Sequence, residues 1–362
     1  MPGMREFKAA FLLALTGTSA CTAQTLAPLP VHVGGRVIAN KDGSMSFGWP
    51  ATYFESRFHG TAVSVSLETP DDRLRLLIDG TVKAFLIQPG STSLTIAGLA
   101  PGDHVVRLEK VTESQTGGSR FIGFYPAGGS TPLPPQAHAR QIEFIGDSLT
   151  VGYGNTSPSR TCSNQEIHDT TDSQQGIGPT LARAVGADYR VNAYSGFGVI
   201  RNYDGTSRGQ SMVLLYPRLK PDDPAHLEAD TGTWRPQVIV INLGTNDFST
   251  ALHADEPWAN KDAFVADYRA KYLAFARMLM AKQPQAHLVL LGSDQFYDQV
   301  QQIAATLNQD ARNPVTTMHY RGLELTACNY HFSVKDDRTL AASLQALLDQ
   351  HPDYWNGATS PQ

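Results

Sequence analysis

The sequence predicts two domains of different class, an N-terminal β-sandwich and a C-terminal α/β domain built on a parallel sheet. Three observations predict this order. Residues 31–127 alternate short β-type runs with turn residues, residues 128–138 are rich in Pro and Gly, and residues 139–355 alternate apolar strand patterns with amphipathic helix patterns. With 362 residues and 41% hydrophobic content, the chain is long enough for two domains and a sizeable core.

The N-terminal domain is predicted from evenly spaced short strands. They cover residues 61–67, 74–78, 93–96 and 104–111, with Gly and Pro between them. Such spacing is typical of a β-sandwich. Residues 128–138 follow, and their Pro and Gly content predicts a linker that continues neither a sheet nor a helix.

The C-terminal domain shows a different pattern, in which buried strands alternate with helices. The strands are predicted at residues 141–145, 237–243 and 287–291, and the helices at 263–282, 298–307 and 338–348. This alternation indicates a parallel sheet with helices on both faces.

Two of these strands lead into polar loops that suggest chemistry. The first loop is Gly146-Asp147-Ser148-Leu149 and the second is Gly244-Thr245-Asn246-Asp247. In a parallel sheet both loops leave the same edge, where open α/β sheets bind ligands. A serine nucleophile needs a base and donors for the developing oxyanion, and Ser148, His331 and the Asn246 amide supply one of each. Gly-Asp-Ser alone is also typical of ordinary turns, so the combination carries the prediction.

These motifs resemble the SGNH or GDSL hydrolase superfamily and, within it, carbohydrate esterase family 2. The resemblance rests on residues 142–155 with Cys162, on residues 194–202 and 328–331, and on the upstream segments 53–61, 78–80 and 102–108. It implies an N-terminal jelly roll and a flavodoxin-like α/β/α catalytic domain.

The resemblance also implies a role for each site residue. Ser148 would be the nucleophile, His331 the general base, and the backbone N–H groups of Ser148 and Gly196 with the Asn246 amide would form the oxyanion hole. One position departs from the family. Where relatives carry an Asp that orients the histidine, this chain has Cys328 or Asn329, so either the Asn329 side chain or a backbone carbonyl takes that part.

Other residues near the motifs have two interpretations. Tyr330 occupies the position of an aromatic residue in the family's substrate clamp, whereas Trp258 and Tyr297 are weaker candidates for sugar stacking, for which a core role is favoured. Asp147 and Asp247 are expected to organise their loops rather than to react.

Cys162 and Cys328 are predicted to form a disulfide that ties the loop after the nucleophile to the loop before the base, with two unpaired buried thiols as the alternative. No pair of cysteines has metal-ligand spacing and the histidines are scattered, so we predict no metal site and no cofactor.

Residues 1–23 have the pattern of a signal peptide, with Arg5 and Lys8 before a short apolar stretch. Cys21 offers a bacterial lipoprotein site as an alternative, although the usual Leu three residues earlier is missing. We therefore expect a secreted or periplasmic protein with no membrane contact beyond a lipid anchor at Cys21. The net charge of −5 argues against a nucleic-acid partner.

The residues predict a secreted serine esterase, and the resemblance implies that it removes O-acetyl groups from plant cell-wall polysaccharides or oligosaccharides such as xylan and glucomannan. Two alternatives remain from the sequence. One is a carbohydrate-binding protein with impaired catalysis, which Asn329 suggests, and the other is a GDSL lipase or arylesterase of different acyl specificity.

Overall fold

The computed structural model describes residues 27–229, 232–310 and 312–356. Within these ranges two antiparallel sheets pack around one core, and a parallel sheet with helices follows. The predicted fold class is confirmed. The predicted signal peptide and Cys21 lie outside the described residues.

The sandwich is built from short strands. In chain order they are β1 (His32–Gly34), β2 (Val37–Ala39), β3 (Met45–Phe47), β4 (Tyr53–Gly60), β5 (Ala62–Thr69), β6 (Leu74–Ile78), β7 (Thr81–Leu86), β8 (Gly90–Ile96), β9 (Gly102–Lys110), β10 (Ser119–Ala127) and β11 (Thr131–Leu133). One sheet has the order β1-β4-β9-β6-β7, with β11 also on β4, and the other has the order β2-β3-β10-β5-β8. The rings of Phe54 and Phe121, one from each sheet, stack 4.2 Å apart between the layers.

Two long strands of the sandwich were not predicted, for physical reasons. Strand β4 is buried along most of its length, because Phe54 faces the sandwich core while Tyr53 packs into the core of the second domain. Burial on both faces hides the alternation that marks a half-buried strand. Strand β10 contains Pro126 and a register shift between Phe121 and Gly123, and these break its pattern.

The predicted linker is wrong in one respect. Residues Thr131–Leu133 form β11, which pairs antiparallel with β4. Pro132 is tolerated there because β11 is an edge strand, where a missing N–H need not break a ladder. The change from antiparallel to parallel sheet falls between β11 and the next strand, which begins at Arg140.

The second domain has one five-stranded parallel sheet. Its strands are β12 (Arg140–Gly146), β13 (Ala187–Ala193), β14 (Val238–Asn242), β15 (His287–Gly292) and β16 (Thr316–His319). Their order, β13-β12-β14-β15-β16, is that of flavodoxin-like folds, with the switch point between the first and third strands of the domain.

Helices cover both faces of this sheet. They are α1 (Ser148–Val151), α2 (Asn164–Thr170), α3 (Ile177–Val185), α4 (Met212–Leu215), α5 (Thr245–Phe248), α6 (Lys261–Lys282), α7 (Tyr297–Leu307) and α8 (Val334–Gln350). Helices α3 and α8 share a core with Phe144 of β12, whereas α6 and α7 share one with Ile145 of the same strand. Helix α8 begins four residues before the predicted start, because Ser333 and Asp336 form a capping box.

No helix in residues 27–229, 232–310 and 312–356 combines the length and the hydrophobicity that a bilayer crossing would need.

The two domains meet through a buried ion network. Arg36 of the sandwich, 2% exposed, pairs with Glu143 of β12 at 3.0 Å and with Glu228 at 3.1 Å. The Glu143 carboxylate also accepts hydrogen bonds from Asn192 Nδ2 at 2.7 Å and Tyr216 Oη at 3.0 Å. Glu143 lies on the strand that leads to Ser148, so this network holds that strand in place against the sandwich.

We predict that Arg36→Leu lowers the free energy of unfolding by about 3 kcal/mol, because it leaves Glu143 as a buried carboxylate without this cation. Urea unfolding measures the change. The control is Arg57→Leu, which removes a partly exposed arginine 4.0 Å from Asp103 and should cost less than about 1 kcal/mol. Equal effects of the two substitutions would contradict a structural role for the buried network.

Candidate active site

Three neighbouring strands end on one row of the sheet. Gly146 of β12 is paired with Ala193 of β13 and with Asn242 of β14. The loops that follow these three residues carry Ser148, Gly196 and Asn246 respectively. Parallel pairing therefore brings the three predicted residues to the carboxyl edge at the switch point, where this fold class binds ligands.

The nucleophile begins a short helix directly after β12. Ser148 is the first residue of α1 and is 6% exposed. Asp147 caps this helix, since its Oδ1 accepts a hydrogen bond from Leu149 N at 3.0 Å. The cap makes Asp147 a structural residue of the turn, as predicted.

Ser148 and His331 form a hydrogen-bonded pair. The distance from Ser148 Oγ to His331 Nε2 is 2.8 Å, although the two residues are 183 positions apart. This is the contact that a general base needs in order to take the hydroxyl proton.

The other nitrogen of His331 faces backbone carbonyls. His331 Nδ1 lies 3.0 Å from Cys328 O and 3.2 Å from Asn329 O. A carbonyl oxygen only accepts, so Nδ1 carries the proton and Nε2 presents its lone pair to Ser148. The backbone thus selects the tautomer that a general base requires.

The Asn329 side chain does not take the predicted part of a triad member. Its Nδ2 donates to Tyr153 Oη at 3.1 Å, and its backbone oxygen, not its amide, faces His331. Asn329 and Tyr330 both adopt positive φ, at 51° and 61°. This local turn brings two successive carbonyls to the imidazole. A triad with a carboxylate does not need such a turn, because the acid side chain accepts from the histidine instead.

Four contacts hold the base loop. The Cys162–Cys328 disulfide is present, as predicted. Asn329 N donates to Arg160 O at 2.7 Å, and the Arg160 guanidinium donates to Leu325 O at 2.7 Å and to Glu324 O at 2.8 Å. Gly154, at φ 55°, lets the chain pass the bridge, because a Cβ there would lie 2.7 Å from Cys328 Sγ.

Burial is the main influence on the base. It lowers the pKa of His331 below the ordinary histidine value, and the hydrogen bonds to Cys328 and Asn329 offset this in part. The neutral form that accepts the Ser148 proton therefore persists to lower pH than in an exposed histidine.

Two backbone N–H groups are available for an oxyanion. In the described part of the chain, the N–H groups of Ser148 and Gly196 donate to no protein acceptor. Gly196 has φ 82°, and a Cβ built on it would meet no atom within 4 Å. The glycine is thus needed for its backbone conformation, and the space before it is open.

The Asn246 amide lies in the same loop cluster. Its Nδ2 donates to Phe197 O at 3.1 Å and to Asp147 Oδ2 at 3.2 Å. Both contacts are near the long end for N–H···O bonds, and a charged oxyanion is a stronger acceptor than either. We expect one of the two hydrogens to turn to the oxyanion during the reaction.

Two buried carboxyl groups organise these loops. Burial, with Asp247 nearby, raises the pKa of Asp147 to about 7, and either protonation state keeps an oxygen that can accept from Asn246. Burial also raises the pKa of Asp247 to about 6. Asp247 accepts from the backbone N–H groups of Val199, Ile200 and Arg201 at 2.9–3.0 Å, so it holds the neighbouring loop after β13 rather than its own.

The three aromatic candidates have different surroundings in the structure. Tyr330, 67% exposed, directly precedes His331 in the chain, and the Arg160 guanidinium lies 5.0 Å from its ring. The Trp258 indole instead donates to Asp267 at 3.0 Å and lines a cavity of about 470 Å³ whose lining includes neither Ser148 nor His331, so its predicted substrate role is not supported. Tyr297 stacks on His319.

Several site residues were missed in the sequence. The Tyr153 ring stacks on the His331 imidazole with centroids 4.2 Å apart. Tyr153 lies five residues after Ser148 within the family motif, so the sequence could have indicated that it is close to the site. Arg160, Glu113 and Gln115 carry no comparable signal, because tertiary contacts alone bring them to the site. Within the residues that the structure describes, no group of three or more His, Cys, Asp or Glu side chains is arranged to hold a metal ion.

A buried Ser–His pair, with free backbone donors at the carboxyl edge of a doubly wound sheet, defines the class of protein. It is a hydrolase that transfers acyl groups through a serine nucleophile.

Comparisons with known proteins give the family. Residues 33–135 match the model of the carbohydrate esterase 2 N-terminal domain, and residues 144–351 match that of the GDSL-like lipase/acylhydrolase family. An acetylxylan esterase / glucomannan deacetylase of Cellvibrio japonicus is 42% identical over 351 residues, which cover 94% of this chain and 96% of that protein. The chain belongs to carbohydrate esterase family 2.

Solved structures agree with this assignment. A carbohydrate esterase structure with 42% identity superimposes with a TM-score of 0.85 and covers 91% of this chain and all of its own. A family two carbohydrate esterase from Clostridium thermocellum, solved in complex with cellohexaose, has 26% identity and a TM-score of 0.77, over 90% of this chain and all of its own.

We predict that Asn329→Gly keeps kcat/KM within about threefold of the wild type, because glycine accepts the positive φ and leaves both carbonyls on His331. The wild-type acid limb should lie below about pH 6.5, the ordinary histidine pKa, owing to burial. Asn329→Asp should move this limb upward, since a nearby carboxylate favours the imidazolium. A loss near ten-thousandfold in Asn329→Gly would instead identify a Ser-His-Asn triad.

We predict that replacing Cys162 and Cys328 together by Ala lowers the free energy of unfolding by about 2–4 kcal/mol. It should also lower kcat by about tenfold to a hundredfold, because Cys328 O is one of the two carbonyls that orient His331. Denaturant unfolding and acetate release measure the two effects. Unchanged kcat in this variant would show that the bridge does not set the position of the base.

Proposed function

We propose that this chain is a secreted or periplasmic esterase that removes O-acetyl groups from plant cell-wall polysaccharides such as xylan and glucomannan. The observation that carries the proposal is the 2.8 Å contact between Ser148 Oγ and His331 Nε2 beside two free backbone N–H groups. The proposed substrate class is supported by the family and by the similarity to the acetylxylan esterase / glucomannan deacetylase of Cellvibrio japonicus.

The first half of the reaction forms an acetyl-enzyme. Ser148 Oγ attacks the acetyl carbonyl while its proton moves to His331 Nε2. The N–H groups of Ser148 and Gly196 and the Asn246 amide donate to the tetrahedral oxyanion. As the oxyanion collapses, the imidazolium gives its proton to the sugar oxygen, and the deacetylated sugar leaves.

The second half returns the enzyme to its starting state. Water attacks the acetyl-Ser148 carbonyl and passes a proton to His331. The second tetrahedral intermediate then collapses, the imidazolium returns this proton to Ser148 Oγ, and acetic acid leaves and ionises to acetate. In both halves the imidazolium is stabilised by the carbonyl dipoles of Cys328 and Asn329 instead of a carboxylate.

An exposed aromatic ring beside the base suits a carbohydrate substrate. Tyr330 is exposed and directly precedes His331 in the chain, so a sugar face can stack on its ring. The related Clostridium thermocellum esterase was solved with cellohexaose, which supports a glycan ligand for this family.

Export is supported by the leader pattern of residues 1–23 and by the disulfide, which suits an oxidising compartment. The alternative to a freely secreted or periplasmic protein is one that a lipid on Cys21 anchors to the membrane. Treatment of the producing cells with an inhibitor of the lipoprotein signal peptidase would distinguish the two. Accumulation of the unprocessed precursor would indicate lipidation, and normal processing would indicate release.

We predict that the wild type releases acetate from acetylated xylan and glucomannan, and that Ser148→Ala and His331→Ala each lower the rate by at least about a thousandfold. Their melting temperatures should stay near that of the wild type, because neither substitution leaves a buried charge. An Asn246→Ala variant should lose about a hundredfold or more in kcat, as expected for one oxyanion donor.

The same assay tests the rival functions. Rates that rise with acyl length on 4-nitrophenyl esters would favour a lipase or arylesterase. Glycan binding without any acetate release in the wild type would favour a carbohydrate-binding protein that has lost catalysis.

A further inference from the structure

The N-terminal domain touches the loop that carries Gly196. Between β9 and β10, three successive residues make these contacts. Gln115 Nε2 donates to Ser195 O at 3.0 Å, Ser114 Oγ donates to Ala193 O at 2.7 Å, and the Glu113 carboxylate accepts a hydrogen bond from the Ser195 hydroxyl. The loop between β13 and Gly196 is therefore held from the other domain.

The contact of Gln115 falls on one particular peptide group. The carbonyl of Ser195 and the N–H of Gly196 belong to the same planar trans peptide, in which C=O and N–H point in opposite directions. A donor that holds Ser195 O on one side therefore directs the Gly196 N–H to the other side. It also polarises the peptide, which makes that N–H a stronger donor.

Few steric contacts fix the orientation of the Ser195–Gly196 peptide. Gly196 has φ 82° and no neighbour within 4 Å of a built Cβ, so sterics do little to fix its conformation. Rotation of the Ser195–Gly196 peptide would replace the N–H by a carbonyl at the place where the oxyanion forms. A carbonyl there would repel the oxyanion instead of stabilising it.

We propose that Gln115 is a positioning residue for the oxyanion hole, which keeps the Ser195–Gly196 peptide in the orientation that catalysis needs. The inference rests on the proposed function, in which the Gly196 N–H is an oxyanion donor. Gln115 itself acts through Gly196 and is given no contact with the substrate. The sandwich then contributes to turnover as well as to the shape of the molecule.

The segment that carries Gln115 is anchored in its own domain. Asp72 and Lys110 form an ion pair whose side chains are both fully buried. Asp72 also accepts from Thr112 Oγ1 and from Ser119 Oγ, each at 2.7 Å, and from the Thr116 hydroxyl. These bonds fix the chain on both sides of Gln115, so the amide acts from a rigid support.

The experiment compares Gln115→Ala and Gln115→Glu with the wild type. The Glu variant keeps the size of the side chain and removes the donor. Thr95→Ala is the matched control, because it removes an exposed side-chain hydrogen bond of the same domain, to Ser64, away from this loop. The kcat and KM for 4-nitrophenyl acetate, the melting temperature, and the inhibition constant of methylboronic acid are measured for each. Methylboronic acid forms a tetrahedral adduct with serine, so its affinity reports on the oxyanion hole.

We expect Gln115→Ala to lower kcat by about 10- to 100-fold with KM within twofold, since a misdirected donor costs up to the full value of one oxyanion hydrogen bond. The inhibition constant should rise by a similar factor, the melting temperature should not change, and Gln115→Glu should lose at least as much kcat. Unchanged kcat in Gln115→Ala would overturn the inference. So would a loss of kcat without weaker boronate inhibition, or one that Thr95→Ala shares.

These outcomes separate the inference from the proposed function. If the wild type turns over 4-nitrophenyl acetate but releases no acetate from polysaccharides, the substrate proposal fails while the Gln115 comparison still stands. If the wild type releases acetate and the Gln115 variants match it, only the inference about Gln115 fails.

Discussion

His331 is held by backbone carbonyls, and the chemistry of the site depends on that contact. Cys328 O and Asn329 O accept from Nδ1, so the proton lies there and Nε2 is free to take the Ser148 proton at 2.8 Å. A carbonyl dipole offers less stabilisation to an imidazolium than a carboxylate does. It also costs less, because no charge has to be buried beside the base. Accurate placement of the loop therefore matters more here than charge, and the disulfide, Arg160 and two positive-φ residues supply that placement.

The active site also depends on both domains. The ion pair of Arg36 with Glu143 joins the sandwich to the strand that leads to Ser148, and the contacts of Glu113 and Gln115 hold the loop that carries Gly196. Tyr53 of the sandwich shares a core with the second domain. Contacts of this kind are typical of a protein core more than of a mobile interdomain surface.

Much of this arrangement could be predicted from sequence, and the rest could not for identifiable reasons. The Gly-Asp-Ser and Gly-Thr-Asn-Asp loops follow clear strand patterns, so Ser148 and Asn246 were recognisable, and parallel pairing implied their common edge. The acceptor for His331 was left open between a side chain and the backbone, because a carbonyl carries no residue-type signal. The sequence does not show which cavity Trp258 lines, because a single aromatic residue carries no such signal. The contact of Gln115 with the Gly196 loop could not be predicted, because it joins residues that are 80 positions apart and lie in different domains.

The backbone carbonyls of Cys328 and Asn329 set the tautomer of His331, and burial favours its neutral form. Nitrogen-15 NMR of histidine-labelled protein measures both properties, with the His331 signals assigned by their loss in His331→Gln. We expect a neutral imidazole at pH 7 with the proton on Nδ1 and none on Nε2, and a titration midpoint below about 6.5. A proton on Nε2 at pH 7, or an imidazolium at that pH, would contradict it.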